Sequence, residues 1–165
     1  MGNSWYVDET YIKVQGQWRY LDRAINRDGN LVDVRLSDTP GLASAEAFFR
    51  SAWTVTGVTP DRITTDGHDA YPGAIRTVFG NQVLHRTNRY LNNHLEQDYR
   101  GIKQRYRPMG GFKQGHTAAR FCRAFDDIRA LLRPKLRRNP PLSLAQRRCI
   151  QQDRFVQLVG ILAAA

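Results

Sequence analysis

Cysteine is almost missing from this chain, and its two copies stand apart. Cys122 and Cys149 form no Cys-x-x-Cys pair and have no histidine cluster nearby. That excludes a zinc ribbon and a disulfide-stapled scaffold, and two isolated thiols suit a reducing cytosol. No apolar run reaches the ~18 residues of a membrane span, and the apolar stretch from Phe155 to Ala165 is too short to cross a bilayer. The N-terminus lacks a basic-then-apolar leader pattern. His68, His85, His94 and His116 show no zinc-protease spacing and read as polar surface or phosphate contacts. Acid is the other shortage. Lys and Arg number 25 against 15 Asp and Glu, a net charge of +10. Between Arg100 and Arg148, fourteen bases meet only two acids, Asp126 and Asp127. Such an excess favours a polyanionic partner, whether DNA, RNA or an acidic membrane surface. The bland alternative is a solvated, charged helix surface.

At 165 residues the length suits one domain with a real core. Trp5 to Val14, Trp18 to Ile25 and Leu31 to Leu36 are rich in aromatic and β-branched residues and predict three antiparallel strands, separated by Gln15-Gly16-Gln17 and by Asn26-Arg27-Asp28-Gly29-Asn30. A helix is predicted from Ser44, as N-cap, to Thr54, burying Phe48, Phe49 and Trp53. Arg62 to Thr65 predicts a short buried strand with Asp66 at its C-terminal end, Ala70 to Phe79 a short helix, and Gln82 to His85 a fifth strand. Two longer helices follow, Asn92 to Tyr106 and Gln114 to Leu132. This order is that of a ribonuclease H-like α/β architecture, a mixed five-stranded sheet flanked by helices. Residues 1–133 form that domain, and 134–165 form a basic, proline-containing linker and a helical extension from Leu142 to Leu162.

Three carboxylates on separate elements carry the chemistry. Along the helix bearing Glu96, Leu95, Tyr99, Ile102 and Tyr106 make one apolar stripe, and Asn92, Arg100 and Lys103 share the flank of Glu96. Taken alone, Glu96 reads more simply as a surface acid paired with Arg100 one turn away. Asp8 sits inside an aromatic strand, where a carboxylate needs a partner or a metal. Asp66 stands where ligands of α/β sheets bind, although an Asx turn before Gly67 explains it equally well. Two magnesium ions held by such acids would drive in-line attack on a phosphodiester, with Asp8 bridging them and Asp66 and Glu96 flanking; manganese can substitute. Glu9 is expected on the opposite face of its strand. Trp5, Trp18 and Phe112 read as core residues. Arg100, Lys103, Arg105, Arg107 and Lys113 are the candidate DNA contacts, with Asn92 beside them.

The segment Tyr90-Leu91-Asn92-Asn93, Glu96-Gln97-Asp98, Arg100, Ile102-Lys103, Arg105, Arg107-Pro108-Met109 and Gly111-Phe112-Lys113 resembles the signature of bacterial transposases of the insertion-sequence-six family. Val7-Asp8-Glu9-Thr10-Tyr11-Ile12-Lys13-Val14, Trp18-Arg19-Tyr20-Leu21, Arg23-Ala24-Ile25 and Asp28-Gly29-Asn30 are similar to its first block, and Thr65-Asp66 with Ala70-Tyr71 to its middle block. The resemblance spans Trp5 to Arg133. It implies a DDE catalytic domain whose triad is Asp8, Asp66 and Glu96, with magnesium-dependent DNA cleavage and strand transfer at the ends of a mobile element. It also implies a homodimer on mobile-element and target DNA, in the cytoplasm at the nucleoid. Family members usually carry a helix-turn-helix before the first catalytic Asp, and only seven residues precede Asp8 here. That raises the expectation of a missing end-recognition segment and an inactive domain. The 29 residues between Asp66 and Glu96 are also fewer than usual. Two competing readings are a non-enzymatic DNA-binding relic and a nuclease or resolvase on the same fold.

Overall fold

Alternation along the first strand sets the plan of the molecule. In the computed structural model, residues 3–88, 93–132 and 142–164 are described, and the side chains of 93–98 lie outside that description. β1 (Ser4–Val14), β2 (Gln17–Asn26) and β3 (Leu31–Ser37) form an antiparallel meander. β4 (Arg62–Thr65) adds to the other edge of β1 in parallel, and β5 (Leu84–Thr87) pairs in parallel with β4. The sheet order β3-β2-β1-β4-β5 puts β1 at the centre, the ribonuclease H-like arrangement expected.

Because side chains alternate along a strand, β1 feeds two cores. Trp5 and Val7 face α1 (Leu42–Thr56) and α2 (Ala70–Phe79), packing with Phe48, Phe49, Tyr71, Ile75 and Phe79. Ile12 and Val14 face α3 (Asn93–Tyr106) and α4 (Gly115–Leu132), packing with Tyr99, Ile102, Tyr106, Phe112 and Cys122. Phe48 and Phe49 are fully buried, each stabilising the fold by about 1.5–3 kcal/mol. Tyr99, Ile102 and Tyr106 form the packed stripe that the period of α3 predicts; Leu95, its fourth expected member, lies among the undescribed side chains. α5 (Leu144–Ala163) opens on a capping box between Ser143 and Gln146 and leans on α4, where Arg154 Nη1 donates to the Leu131 carbonyl at 2.8 Å. The basic linker expected from residue 134 falls in 133–141, outside the described residues. Among those described, no helix is long and apolar enough to cross a membrane.

Four expectations need correction. α1 starts at Leu42, with Gly41 rather than Ser44 as N-cap; the Ser44 hydroxyl instead donates to the Thr39 carbonyl at 2.6 Å. Gly41 holds φ 114, ψ −171, a conformation open mainly to glycine. β5 lies two residues later than predicted, because its pairing with β4 runs from Leu84 opposite Arg62 to Thr87 opposite Thr65, while Val83 before it joins the core. Trp53 is 45% exposed, touching Phe79 only at its edge. Trp18 is 57% exposed near the hairpin turn, where neither helix pair covers it; Trp5 and Phe112 are core.

Candidate active site

Asp8 lies on the α3–α4 side of the central strand and is 7% exposed. Its Oδ1 accepts from the Glu9 amide at 3.0 Å. Its own carbonyl accepts from the Tyr99 hydroxyl of α3 at 2.8 Å. Burial, followed by the charge of Asp8, raises the Tyr99 pKa well above the usual phenol range, so this hydroxyl stays a donor. Directly opposite Asp8 on β2 is Arg23, only 3% exposed, whose guanidinium holds the buried carboxylate of Asp126 on α4 through two bonds, Nε to Oδ2 at 2.9 Å and Nη2 to Oδ1 at 2.7 Å. The same guanidinium sits 6.0 Å from the Tyr99 ring. The floor under Asp8 is therefore a strand cation, a helix anion and a phenol that lock β1, β2, α3 and α4 together.

Asp66 follows the last residue of β4. The parallel register pairs Val7 with Thr65, so Asp8 and Asp66 are the next residues along two neighbouring strands, which lie about 4.8 Å apart. Asp66 Oδ1 accepts from the His68 amide at 3.2 Å, the Asx turn that the sequence also allowed. Gly67 between them holds φ +106, and a Cβ there would come within 3.0 Å of the Thr87 methyl, so the turn requires glycine. His68 Nδ1 accepts from the Ala70 amide at 3.2 Å. Behind Asp66, the Thr65 hydroxyl and His85 Nε2 share a hydrogen bond of 2.9 Å, and burial lowers the His85 pKa.

Glu96 lies on α3, one turn before Tyr99, among the undescribed side chains. Asn92 lies outside the described residues. Lys103, two turns after Glu96, is half-buried; desolvation and Arg107 lower its pKa while the charge of Asp8 raises it, which brings this flank of α3 near the β1 acid. Arg100, Arg107 and Lys113 are exposed. Arg105 is exposed but engaged: its Nη1 donates to the Gly101 carbonyl at 3.0 Å and its guanidinium lies 4.9 Å from the Phe125 ring of α4.

The opposite face of β1 carries a second set of acids. Glu9 stands directly opposite Asp22 of β2. Burial and then Asp22 raise the Glu9 pKa, with Asp66 adding and His68 opposing. Asp22 is 2% exposed; the Tyr71 hydroxyl donates to its Oδ1 at 2.9 Å, and Oδ2 has no partner among the described residues. Burial pushes its pKa up to about 6. Cys122 is equally inert, its thiol pushed up to about 12 by burial and then by Asp126. Among the described residues no three acids, histidines or cysteines gather closely enough to hold a metal; the Glu96 side chain is not one of those described.

Sequence reasoning missed Arg23, Asp126, Asp22 and the Tyr99 hydroxyl. One signal was present: Asp126 continues the four-residue spacing of Ala118 and Cys122, an acid on the packed stripe of α4.

A family model for the DDE domain matches residues 2–135. The chain is 39% identical over 105 residues to the transposase for insertion sequence-like element IS431mec of Staphylococcus aureus, a match covering 61% of this chain and 46% of that protein. It is equally similar, over the same shares, to the transposase for insertion sequence element IS257 in transposon Tn4003 of Staphylococcus aureus. The match thus spans less than half the length of these curated relatives. Among solved structures, the HTLV-2 integrase catalytic core domain in complex with magnesium, in its trimeric form, superposes with a TM-score of 0.60 at 15% identity, covering 91% of this chain and 96% of that one. That likeness is one of fold.

Proposed function

Since the chain belongs to the DDE domain family, we propose that it is the catalytic part of an insertion-sequence transposase, cutting and joining DNA strands with Asp8, Asp66 and Glu96. The observation that carries the reading is the parallel register of β1 and β4, whose last pair, Val7 and Thr65, stands immediately before Asp8 and Asp66. Carboxylates one residue past a paired position on two neighbouring strands are hard oxygen donors that suit magnesium, and α3 carries Glu96 two turns before Lys103, which feels the charge of Asp8. When bound, two magnesium ions supply the Lewis acidity for in-line displacement at phosphorus, with manganese as a substitute.

The surrounding residues do the positioning. Tyr99 fixes the backbone of Asp8, and Arg23 offsets buried negative charge beside it while itself balanced by Asp126. Lys103 stands near Asp8 and suits a phosphate next to the scissile bond; Arg100, Arg107 and Lys113 extend that cationic surface, and Asn92 precedes it. Arg105 contributes less, being held against Phe125. The substrate is DNA at element ends and target, met at the nucleoid in the cytoplasm, and joining two ends calls for a dimer.

The test is strand joining by purified protein on a duplex carrying element ends. Asp8→Ala, Asp66→Ala and Glu96→Ala each reduce magnesium-dependent joining to background while thermal unfolding stays cooperative; any of them with full activity removes that residue from the triad. Lys103→Ala weakens duplex binding across sequences and lowers the salt slope by about one. Binding without any product, with or without magnesium, would instead mark a DNA-coating relic.

A further inference from the structure

The far end of the β1–β2 hairpin holds an aromatic cluster that the catalytic reading does not use. Tyr11 and Lys13 alternate with the buried Ile12 and Val14, so they face away from the α3–α4 core. Across the ladder, Tyr11 pairs with Tyr20 and Lys13 with Trp18. Tyr11 is 50% exposed and Trp18 57%. The Tyr11 and Tyr20 rings meet edge to face with centroids 5.4 Å apart, and the Lys13 ammonium lies 5.3 Å from the centre of the Trp18 ring. Among the described residues the α1–α2 core takes Trp5 and Val7 from β1 and nothing past Val7, which leaves Tyr11 and Trp18 exposed.

Cations lie near both the acids and the patch. Lys103 is near Asp8, and Arg107 follows immediately after the last residue of α3. The chain then turns back through Gly111, at φ +88, to lie against the end of β1: Phe112 pairs with Val14, its amide donates to the Lys13 carbonyl at 3.3 Å and its carbonyl accepts from Gln15 at 2.7 Å. Lys113 therefore sits beside the hairpin turn. Lys13 and Lys113 thus flank the exposed rings, while Lys103 and Arg107 carry positive charge on the α3 side of the sheet.

We propose that this open hairpin face binds unpaired DNA, stacking bases on Trp18 and Tyr11 while Lys13 and Lys113 meet the backbone. Ring faces accept any base and lysines follow phosphates, the combination that holds single strands without reading sequence. Duplex DNA keeps its bases stacked inside and has no use for exposed rings. The inference rests on the transposase reading for the source of the strand, a cut element end displaced from its complement.

The test is fluorescence anisotropy with a labelled mixed-sequence single-stranded oligonucleotide and its duplex, in EDTA. Trp18→Ala and Tyr11→Ala each weaken single-strand affinity by about fivefold to a hundredfold and leave duplex affinity nearly unchanged, whereas Trp18→Phe retains binding. Lys13→Gln lowers the single-strand salt slope by about 0.7. Should an alanine variant unfold early, Trp18→Thr and Tyr11→Thr keep strand propensity and make the same comparison. Unchanged single-strand affinity, or equal losses on both forms of DNA, overturns the proposal. So does a loss of self-association in sedimentation with single-strand binding intact, which makes the patch a contact between copies. No catalysis enters this titration, so its failure leaves the triad standing; joining by Asp8→Ala removes the transposase reading and leaves the titration valid.

Discussion

Adjacent residues of β1, Asp8 and Glu9, both carry acid into the heart of the sheet, yet their two faces solve the problem differently. On the α3–α4 face, Asp8 sits opposite Arg23, with Lys103 near it and the Arg23–Asp126 pair beneath. On the α1–α2 face, Glu9 sits opposite another acid, Asp22, which accepts from the Tyr71 hydroxyl. Burial disfavours charge on both faces. On the first a cation stands directly opposite the acid. On the second, burial raises both pKa values more than the Tyr71 hydroxyl, His68 and Arg35 lower them. A strand can thus set one carboxylate opposite a cation and the next opposite an acid, according to which residues its neighbours place across the ladder.

That contrast can be broken most severely at the cation. Arg23→Met leaves Asp126 without its buried partner and is expected to cost about 3–5 kcal/mol, seen as a large fall in the urea midpoint. Arg23→Met combined with Asp126→Leu recovers most of the loss, because neither charge is then buried; a double variant as unstable as the single one would make the pair a geometric clamp rather than a charge balance. The next effect sharpens the other face. Asp22 binds its proton more tightly folded than unfolded, so its contribution to stability is complete below pH ~4 and disappears as pH rises through about 6. The shift from 3.8 to about 6 corresponds to about 3 kcal/mol. Asp22→Asn, which keeps an acceptor for Tyr71, therefore leaves stability unchanged near pH 4 and raises it above pH 6 by up to that amount, read from melting curves across pH. The smallest effect tests how the faces connect to the helices. Tyr99→Phe removes one bond to the Asp8 carbonyl and costs about 1–3 kcal/mol, with a larger proportional loss in strand joining than in DNA binding.

Much of the fold was legible because it is local. The alternation of β1, the turn at Asn26 to Asn30 and the Tyr99-Ile102-Tyr106 stripe each follow from a few consecutive residues, and the structure has them where the pattern puts them. The acids were legible as residues too, Asp8 within a strand and Asp66 just past one. Their company was not. Arg23 and Asp126 are 103 positions apart, and no period or composition links them. β5 slipped by two residues because its partner strand, not its own apolar content, fixes its register. Trp18 is exposed because the reach of α1 and α2 across the sheet is a tertiary matter, invisible in a strand that reads as uniformly aromatic.

The bond from Arg23 to Asp126 also ties the centre of the sheet to the order of synthesis. A ribosome has made all five strands before it makes α4. Until that helix emerges, β2 carries an arginine whose carboxylate has yet to be translated. Chains cut off before Asp126 are expected to leave Arg23 without that carboxylate, a loss that limited proteolysis of such truncations would read. The buried charge balance at the centre of the sheet thus arrives only with α4, after every strand it holds.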